Sequence, residues 1–161
     1  VAARALARKL GRRADELFIA GLLHDIGRLA MVVVAPEDYA EVIATSRAQD
    51  CTRQEAEMSV FGYDHAAVGA ALAQRWNFPP EIHDALAFHH APAGGAPDGP
   101  AALIHYADAI AKALDLDGEE DTQLPRLDPA TIVALDLDQS SLAQVLSETQ
   151  AGFDNCRLLL G

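Results

Sequence analysis

The chain has 161 residues, half of them hydrophobic, and a formal net charge of −12. This length suffices for one domain whose hydrophobic core needs neither a disulfide framework nor a structural metal. The negative charge excludes nucleic acid as a general partner, because phosphate binding needs a positive surface. Two cysteines far apart in sequence predict no disulfide framework, so we expect a reducing, cytoplasmic setting. No signal peptide and no apolar run of membrane-spanning length are predicted, so no membrane association is expected.

The apolar residues recur at helical spacing along the chain. The first helical pattern begins at the N-terminus, which predicts that the chain is a fragment of a longer protein. Further helices are predicted over about 15–34, from Pro36 to about 48, from Thr52 to before Gly62, from Asp64 to before Pro79, from Pro80 onward, over about 101–114, from Asp128-Pro129, and over about 140–160. Residues 91–100 and 117–127 are predicted connections, and no strand pattern is found. The predicted fold class is all-α.

Several predicted helices place a histidine or an aspartate on an otherwise apolar stripe. Such a buried polar group is costly without a partner, and a shared metal ion would satisfy several of them together. The candidate metal ligands are His24, Asp25, His65, His89, His90 and Asp108.

Each of these residues also has an ordinary explanation in the packing of a helical protein. A single histidine on an apolar stripe is more often a satisfied core residue, and Asp108 could pair with Lys112 or interact with His105. His83 and His105 themselves are expected to be exposed or secondary. The joint pattern, rather than any one residue, indicates a metal site. Arg28, one helical turn beyond His24 and Asp25, could hold an anionic ligand beside the metal.

The order and surroundings of these residues resemble the HDOD domain, the HD-related output domain of bacterial signalling proteins. The resemblance extends over nearly the whole chain and includes its C-terminal helices. It implies an HD-superfamily helical bundle, with one domain over 1–161, an HD-like core over about 1–115 and a C-terminal helical extension over about 128–160. The stretches that carry it are Gly21-Leu-Leu-His24-Asp25-Ile-Gly27-Arg28-Leu29, Phe61-Gly62-Tyr-Asp-His65, Val68-Gly69, Trp76, Pro79, His89-His90 and Ala107-Asp108.

The resemblance also implies a site. The six candidate ligands match the metal ligands of related HD phosphohydrolases, and Glu57 matches a position expected to be structural or to support a ligand. Such enzymes use one or two divalent transition metal ions, often iron or manganese, against a phosphate ester. Asp25 would then orient the attacking water and Arg28 would neutralise phosphate charge, which makes these two the candidate catalytic residues.

Three departures from the enzymatic pattern limit what the resemblance implies. The first histidine of the enzymes would lie upstream of Val1, and no residue up to Asp15 can replace it. The HDOD domain is also related to the HD-GYP phosphodiesterases, which hydrolyse cyclic dinucleotides and carry a Gly-Tyr-Pro motif. Arg28 stands where these enzymes usually have lysine. After His90 the Gly-Tyr-Pro motif is missing, and Ala91-Pro92-Ala93-Gly94-Gly95 stands there instead. Hydrolysis of cyclic di-GMP is therefore not expected.

Two functions follow from these observations. The favoured one is a regulatory output module of bacterial signal transduction, acting through protein partners or other signalling domains and able to form a homodimer. The alternative is an active metal-dependent phosphohydrolase on a small nucleotide or cyclic nucleotide. The retained ligands favour the enzyme, whereas the family resemblance and the missing motif favour the regulatory module. The acidic surface suits partners with basic patches.

Overall fold

The structure is a computed structural model that describes residues 1–92, 96–116 and 125–160. Over these ranges the chain forms helices and no strand, which confirms the predicted all-α class. Ten helices follow one another in the described part of the chain: α1 (Ala2–Lys9), α2 (Ala14–Leu23), α3 (Ile26–Val34), α4 (Pro36–Gln49), α5 (Arg53–Phe61), α6 (His65–Arg75), α7 (Pro80–Phe88), α8 (Pro100–Ala113), α9 (Pro129–Leu135) and α10 (Gln139–Leu160).

Local signals in the sequence account for most of the helix starts. Thr52 and Glu55 form the predicted capping box, in which each side chain accepts a backbone N–H of the other residue. The Asp64 carboxylate caps α6 by accepting the N–H of Ala67 at 2.9 Å. Proline occupies the first turn of α4, α7, α8 and α9, where its missing N–H costs nothing.

The predicted continuous helix over 15–34 is wrong, because α2 ends at Leu23 and α3 begins at Ile26. The change of direction allows α3 to pack closely against α6. At the crossing a Cβ atom on Gly27 would lie 2.0 Å from the carbonyl oxygen of His65 and 2.7 Å from the amide nitrogen of Gly69. Only glycine permits this approach of two backbones. The break leaves His24 and Asp25 between the two helices.

The same segment differs from expectation in its burial. Its buried residues are Leu17, Ala20, Gly27 and Met31. The apolar residues Ile19, Leu22 and Leu29, which recur at helical spacing and would suit a core-facing stripe, are 43%, 70% and 59% exposed. Residues 14–34 have a mean hydropathy of 1.8 and are long and apolar enough to cross a membrane, by length and composition alone. The prediction that no apolar run approaches membrane-spanning length is therefore wrong. Buried helices of water-soluble proteins meet the same criterion. The break at His24 and Asp25 interrupts this segment.

The described residues form two hydrophobic clusters. The first joins α1, α2, α7, α8, α9 and α10, and the second joins α3, α4, α5 and α6. Helix α6 packs against α3 and against α7, so it connects the two clusters. Leu135 of α9 and Val145 of α10 lie in the first cluster, which means that the C-terminal helices share a core with α1 and α8. The candidate site residues lie where the clusters meet.

Candidate metal centre

Three breaks between helices supply the residues at the centre of the site. Asp25 lies at the α2–α3 break, His65 is the first residue of α6, and His89 and His90 directly follow α7. His65 and His89 are fully buried, and Asp25 and His90 are partly buried. A helix end can aim a side chain along the helix axis as well as sideways, so four side chains from three separate places in the chain converge.

The converging atoms are one ligand atom from each of these four residues, all within 4.8 Å of one another. The Asp25 Oδ1 atom lies 3.1 Å from His65 Nε2 and 3.5 Å from His89 Nε2. The His65 Nε2 atom lies 3.4 Å from His89 Nε2 and 2.8 Å from His90 Nε2. Nitrogen and oxygen ligands about 2.1 Å from a shared ion would lie about 3.0–3.4 Å apart in octahedral or tetrahedral coordination. The observed separations suit such an ion.

The other ring nitrogens of two histidines have fixed partners. His89 Nδ1 lies 3.2 Å from the carbonyl oxygen of Ala85 and 3.0 Å from that of Leu86, and a carbonyl can only accept. His65 Nδ1 lies 2.5 Å from the Glu57 carboxylate. Both rings therefore carry a proton on Nδ1, which leaves Nε2 to face the centre. This is the arrangement by which metal-binding histidines are usually oriented.

Glu57 is a buried carboxylate that contacts His65 on the side of its ring facing away from the donor group. Its Oε2 atom also accepts the backbone N–H of His65 at 2.9 Å, and its Oε1 atom accepts the hydroxyl of Tyr39 at 3.0 Å. The Arg28 guanidinium lies 3.0 Å from Asp25 Oδ2 and 3.7 Å from Glu57 Oε1. Arg28 thus bridges the two carboxylates, a position that supports the ligand Asp25 in addition to any anion nearby.

Strong coupling between the charged groups appears in their pKa values. Burial alone would raise the pKa of Asp25, but the contacts with His65 and His89 hold it well below its usual range. Burial would lower the pKa of His65, whereas its contacts with Asp25 and Glu57 raise it to about 9. Burial and the charges of the neighbouring histidines lower the pKa of His90 to about 2.

A divalent cation fits the residues that are present. The buried Asp25 Oδ1 atom meets no donor in hydrogen-bonding geometry, although two imidazole nitrogens contact it. Such an orphaned carboxylate oxygen is costly unless a cation satisfies it. A donor set of imidazoles and a carboxylate is typical of sites for zinc, iron and other divalent transition metals.

The structure places the remaining two predicted ligands outside the four-residue group. His24 Nδ1 donates to the carbonyl of Gly21 at 2.9 Å, and its Nε2 lies 3.7 Å from Asp25 Oδ1. Burial is the main cause that lowers the pKa of His24. Asp108 pairs with Lys112 at 3.3 Å, the ordinary i,i+4 alternative. Both residues border a cavity of about 180 Å³ beside the centre, so they remain candidates for a second ion.

His105 is the residue whose position was predicted wrongly. It is only 4% exposed, its Nδ1 lies 2.7 Å from the carbonyl oxygen of His89, and its Nε2 lies 3.1 Å from that of Arg126. It therefore anchors the backbone of a candidate ligand. Tyr39 was not predicted either, because a tyrosine in α4 carries no local signal for its contact with Glu57. His83 is partly buried, and its described side-chain contact is with its neighbour Asp84.

A helical domain that gathers the aspartate of a His-Asp pair and three further histidines into one group of donors is a protein of the HD type. The sequence pattern of the HDOD domain matches residues 1–92, and the chain belongs to this family. An uncharacterized protein from Treponema pallidum (strain Nichols) is 31% identical over 87 residues, which are 53% of this chain and 17% of that protein.

Two solved structures resemble the fold. A protein from Shewanella amazonensis SB2B, provisionally described as a phosphohydrolase, matches with a TM-score of 0.67 and 29% identity over 91% of this chain and 54% of that one. An HDOD domain protein of unknown function from Geobacter sulfurreducens matches with a TM-score of 0.67 and 23% identity over 89% and 47%. The second likeness concerns the fold alone. The chain thus spans about half the length of either protein.

Proposed function

We propose that this chain is a regulatory output domain that binds a divalent transition metal ion. Asp25, His65, His89 and His90 would hold the ion, and Glu57 would orient His65. The observation that carries the proposal is the convergence of four ligand atoms within 4.8 Å. The fixed Nδ1 partners of His65 and His89 support it, because they turn both Nε2 atoms towards the same point.

In the regulatory proposal the ion holds elements of the domain together, and the output is a contact with another protein. The ligands come from the α2–α3 break, α6 and the end of α7, so a bound ion would connect both hydrophobic clusters. The missing Gly-Tyr-Pro motif favours this role over cyclic di-GMP hydrolysis. Protein partners with basic patches, other signalling domains of a longer chain, and a second copy of the chain are the proposed contacts, in a bacterial cytoplasm.

A metal-dependent phosphohydrolase is the second candidate. The cavity of about 180 Å³ favours it, since it gives a small phosphate ester room beside the donors and is bordered by Arg28 and Lys112. A bound divalent ion would supply Lewis acidity for attack of water on the ester. Asp25 would orient that water, and Arg28 would offset charge on the phosphate. The description of the Shewanella protein points in the same direction.

Metal content tests the proposal. We expect the protein, purified and reconstituted with Mn²⁺ or Fe²⁺ and then desalted, to retain stoichiometric metal by elemental analysis. The His90→Ala and Asp25→Asn variants should retain at least tenfold less, because each removes one of few ligands. The His83→Ala variant is the matched control, since His83 is a partly buried histidine in the first turn of α7 and lies outside the donor group. Wild-type protein that keeps no metal would refute the site.

A hydrolysis assay separates the two candidates. The regulatory proposal predicts that metal-loaded protein does not turn over bis(p-nitrophenyl) phosphate or small nucleotides above the level of the Asp25→Asn variant. Turnover that requires both the metal and Asp25 would establish the enzyme instead. The Glu41→Gln variant, changed at an exposed carboxylate on α4, controls for contaminating phosphatases and should behave as wild type.

A further inference from the structure

A groove between α1 and α10 carries a concentration of positive charge in an otherwise acidic chain. Five of the twelve lysine and arginine residues lie among the first thirteen positions, and no aspartate or glutamate precedes Asp15. The groove has a volume of about 760 Å³, and we call it the α1–α10 groove. Among the described residues that line it, Glu148 is the one carboxylate, against three cationic side chains: Arg4, Arg8 and Lys9.

The two helices run in opposite directions along the groove. Lys9, at the end of α1, donates to Gln144 at 2.7 Å, and at the other end a Cβ atom on Gly152 would lie 2.7 Å from a side-chain carbon of Val1. Between these ends the groove has an apolar lining. The apolar residues are Ala5, Phe18, Val145 and Ala151. Two of them, the first and the third, are buried and form the floor of the groove.

The cationic side chains stand at the exposed rim of the groove, and their described contacts leave them accessible. Arg4 pairs with Asp15 at 3.1 Å, and its side chain is still 44% exposed. Lys9 donates to the neutral amide of Gln144, and no side-chain partner of the exposed Arg8 is found among the described residues. Because exposed ion pairs contribute little free energy, an incoming carboxylate can exchange with Asp15.

We infer that the α1–α10 groove binds an acidic amphipathic helix of a partner protein. The apolar stripe of that helix would lie on the floor of the groove, and its aspartate or glutamate side chains would meet the cations at the rim. The inference goes beyond the proposed function, because it adds a contact surface that does not depend on a bound metal ion. No residue that lines the groove belongs to the donor group.

Shape and charge favour a helix over other occupants of the groove. A flat anionic membrane would reach the exposed cations but not the buried Ala5 and Val145 at the floor. Glu148, on the α10 side, would repel anionic lipid headgroups, whereas a helix can turn an uncharged face towards this carboxylate. A second copy of this chain is disfavoured, because two molecules of net charge −12 repel each other.

Fluorescence anisotropy with labelled model peptides tests this inference. The probe is a helical peptide of about 15 residues, made of leucine, alanine and glutamate, with the leucines along one face. One control peptide has lysine in place of glutamate, and another has the same composition with the leucines scattered around the helix. We expect the wild-type protein to bind the acidic amphipathic peptide about tenfold or more tightly than either control, and to lose affinity as the salt concentration rises.

Variants at the rim and the lining of the groove locate the binding. The Arg8→Glu, Lys9→Glu double variant should bind the acidic peptide about tenfold or more weakly, because two attractive charges become repulsive. Arg75→Glu is its control, on an exposed arginine in the last turn of α6 and outside the groove. Ala151→Trp should fill the groove and weaken binding about fivefold or more, whereas Ala40→Trp, at an exposed position on α4, should not.

The outcomes distinguish a helix-binding groove from a general attraction between charges. Absence of peptide binding by the wild type would overturn the inference, as would equal affinity of the wild type and the double variant, both folded by circular dichroism. Binding to phosphatidylserine vesicles without binding to the peptide would also overturn it and assign the cations to a membrane contact. All titrations are made with a chelator present, so a failure of the proposed metal site leaves this test unaffected.

Discussion

Glu57 shows how one buried side chain determines the chemistry of its neighbours. Its two oxygens accept from the ring and backbone of His65 and from the hydroxyl of Tyr39. A buried carboxylate without such partners would cost several kcal/mol, so the contacts make its burial tolerable. They also fix which nitrogen of His65 faces the centre. The resemblance marked Glu57 as a supporting position, and the structure gives the physical reason.

Replacing Glu57 by glutamine should weaken metal binding by about 10- to 100-fold, because a neutral amide makes His65 a poorer ligand and fixes its ring less firmly. Dissociation constants for Mn²⁺, measured by calorimetry, would show this. The Glu41→Gln variant changes an exposed carboxylate on α4 and should bind as wild type does. If Glu57→Gln, folded by circular dichroism, binds metal normally, packing rather than the carboxylate orients His65.

At the scale of elements, the crossing of α3 and α6 brings ligands from distant parts of the sequence together. Gly27 lies against the backbone of His65, the first residue of α6. Because Asp25 precedes Gly27 by two positions, the same close approach sets the distance between the Asp25 carboxylate and the imidazole of His65. Small changes in the helix crossing would therefore reach the site directly.

The substitution Gly27→Ala should lower the free energy of unfolding by about 1–3 kcal/mol, because its Cβ would clash with α6 backbone that cannot move aside. It should also weaken metal binding by displacing His65. Gly69→Ala is the matched control, since a Cβ there meets only Leu86 side-chain atoms, the nearest at 3.6 Å. That variant should be neutral or gain up to about 1 kcal/mol from helix propensity. Urea unfolding that shows equal effects for both would contradict the close crossing.

For the whole molecule, the position of the centre between two hydrophobic clusters matters more than any single contact. The first cluster includes α1 and the N-terminal part of α10, and the second is built from α3 to α6. A metal ion bound by residues of α6, of the α2–α3 break and of the end of α7 would join the two clusters. Any ion that binds the folded chain and not the unfolded one raises its stability by mass action.

Metal at 100 times its dissociation constant should therefore raise the free energy of unfolding by about 2.7 kcal/mol. Thermal unfolding with Mn²⁺, and again after a chelator, would measure the gain and its reversal. The His90→Ala variant should show a far smaller shift. A shift of wild-type size in that variant would mean that Mn²⁺ stabilises the protein elsewhere, for example on its acidic surface.

The sequence by itself determined most of the helices, several of their caps and the identity of the candidate ligands. Thr52 with Glu55, and Asp64 with Ala67, contact partners three residues away, so the information for these helix starts is local. The all-α class follows from the same local periodicity. The polar residues on apolar stripes were visible for a similar reason, since each stripe can be read within a single helix.

Tertiary structure decided which of those ligands meet. Four of the six converge, whereas His24 and Asp108 lie along the neighbouring cavity. The break at His24 and Asp25, and the contact of His105 with the His89 carbonyl, depend on packing between helices that are distant in sequence. Helical periodicity gives the direction of a side chain relative to its own helix axis. The angles and distances between axes come from packing, and they determine where the donors converge.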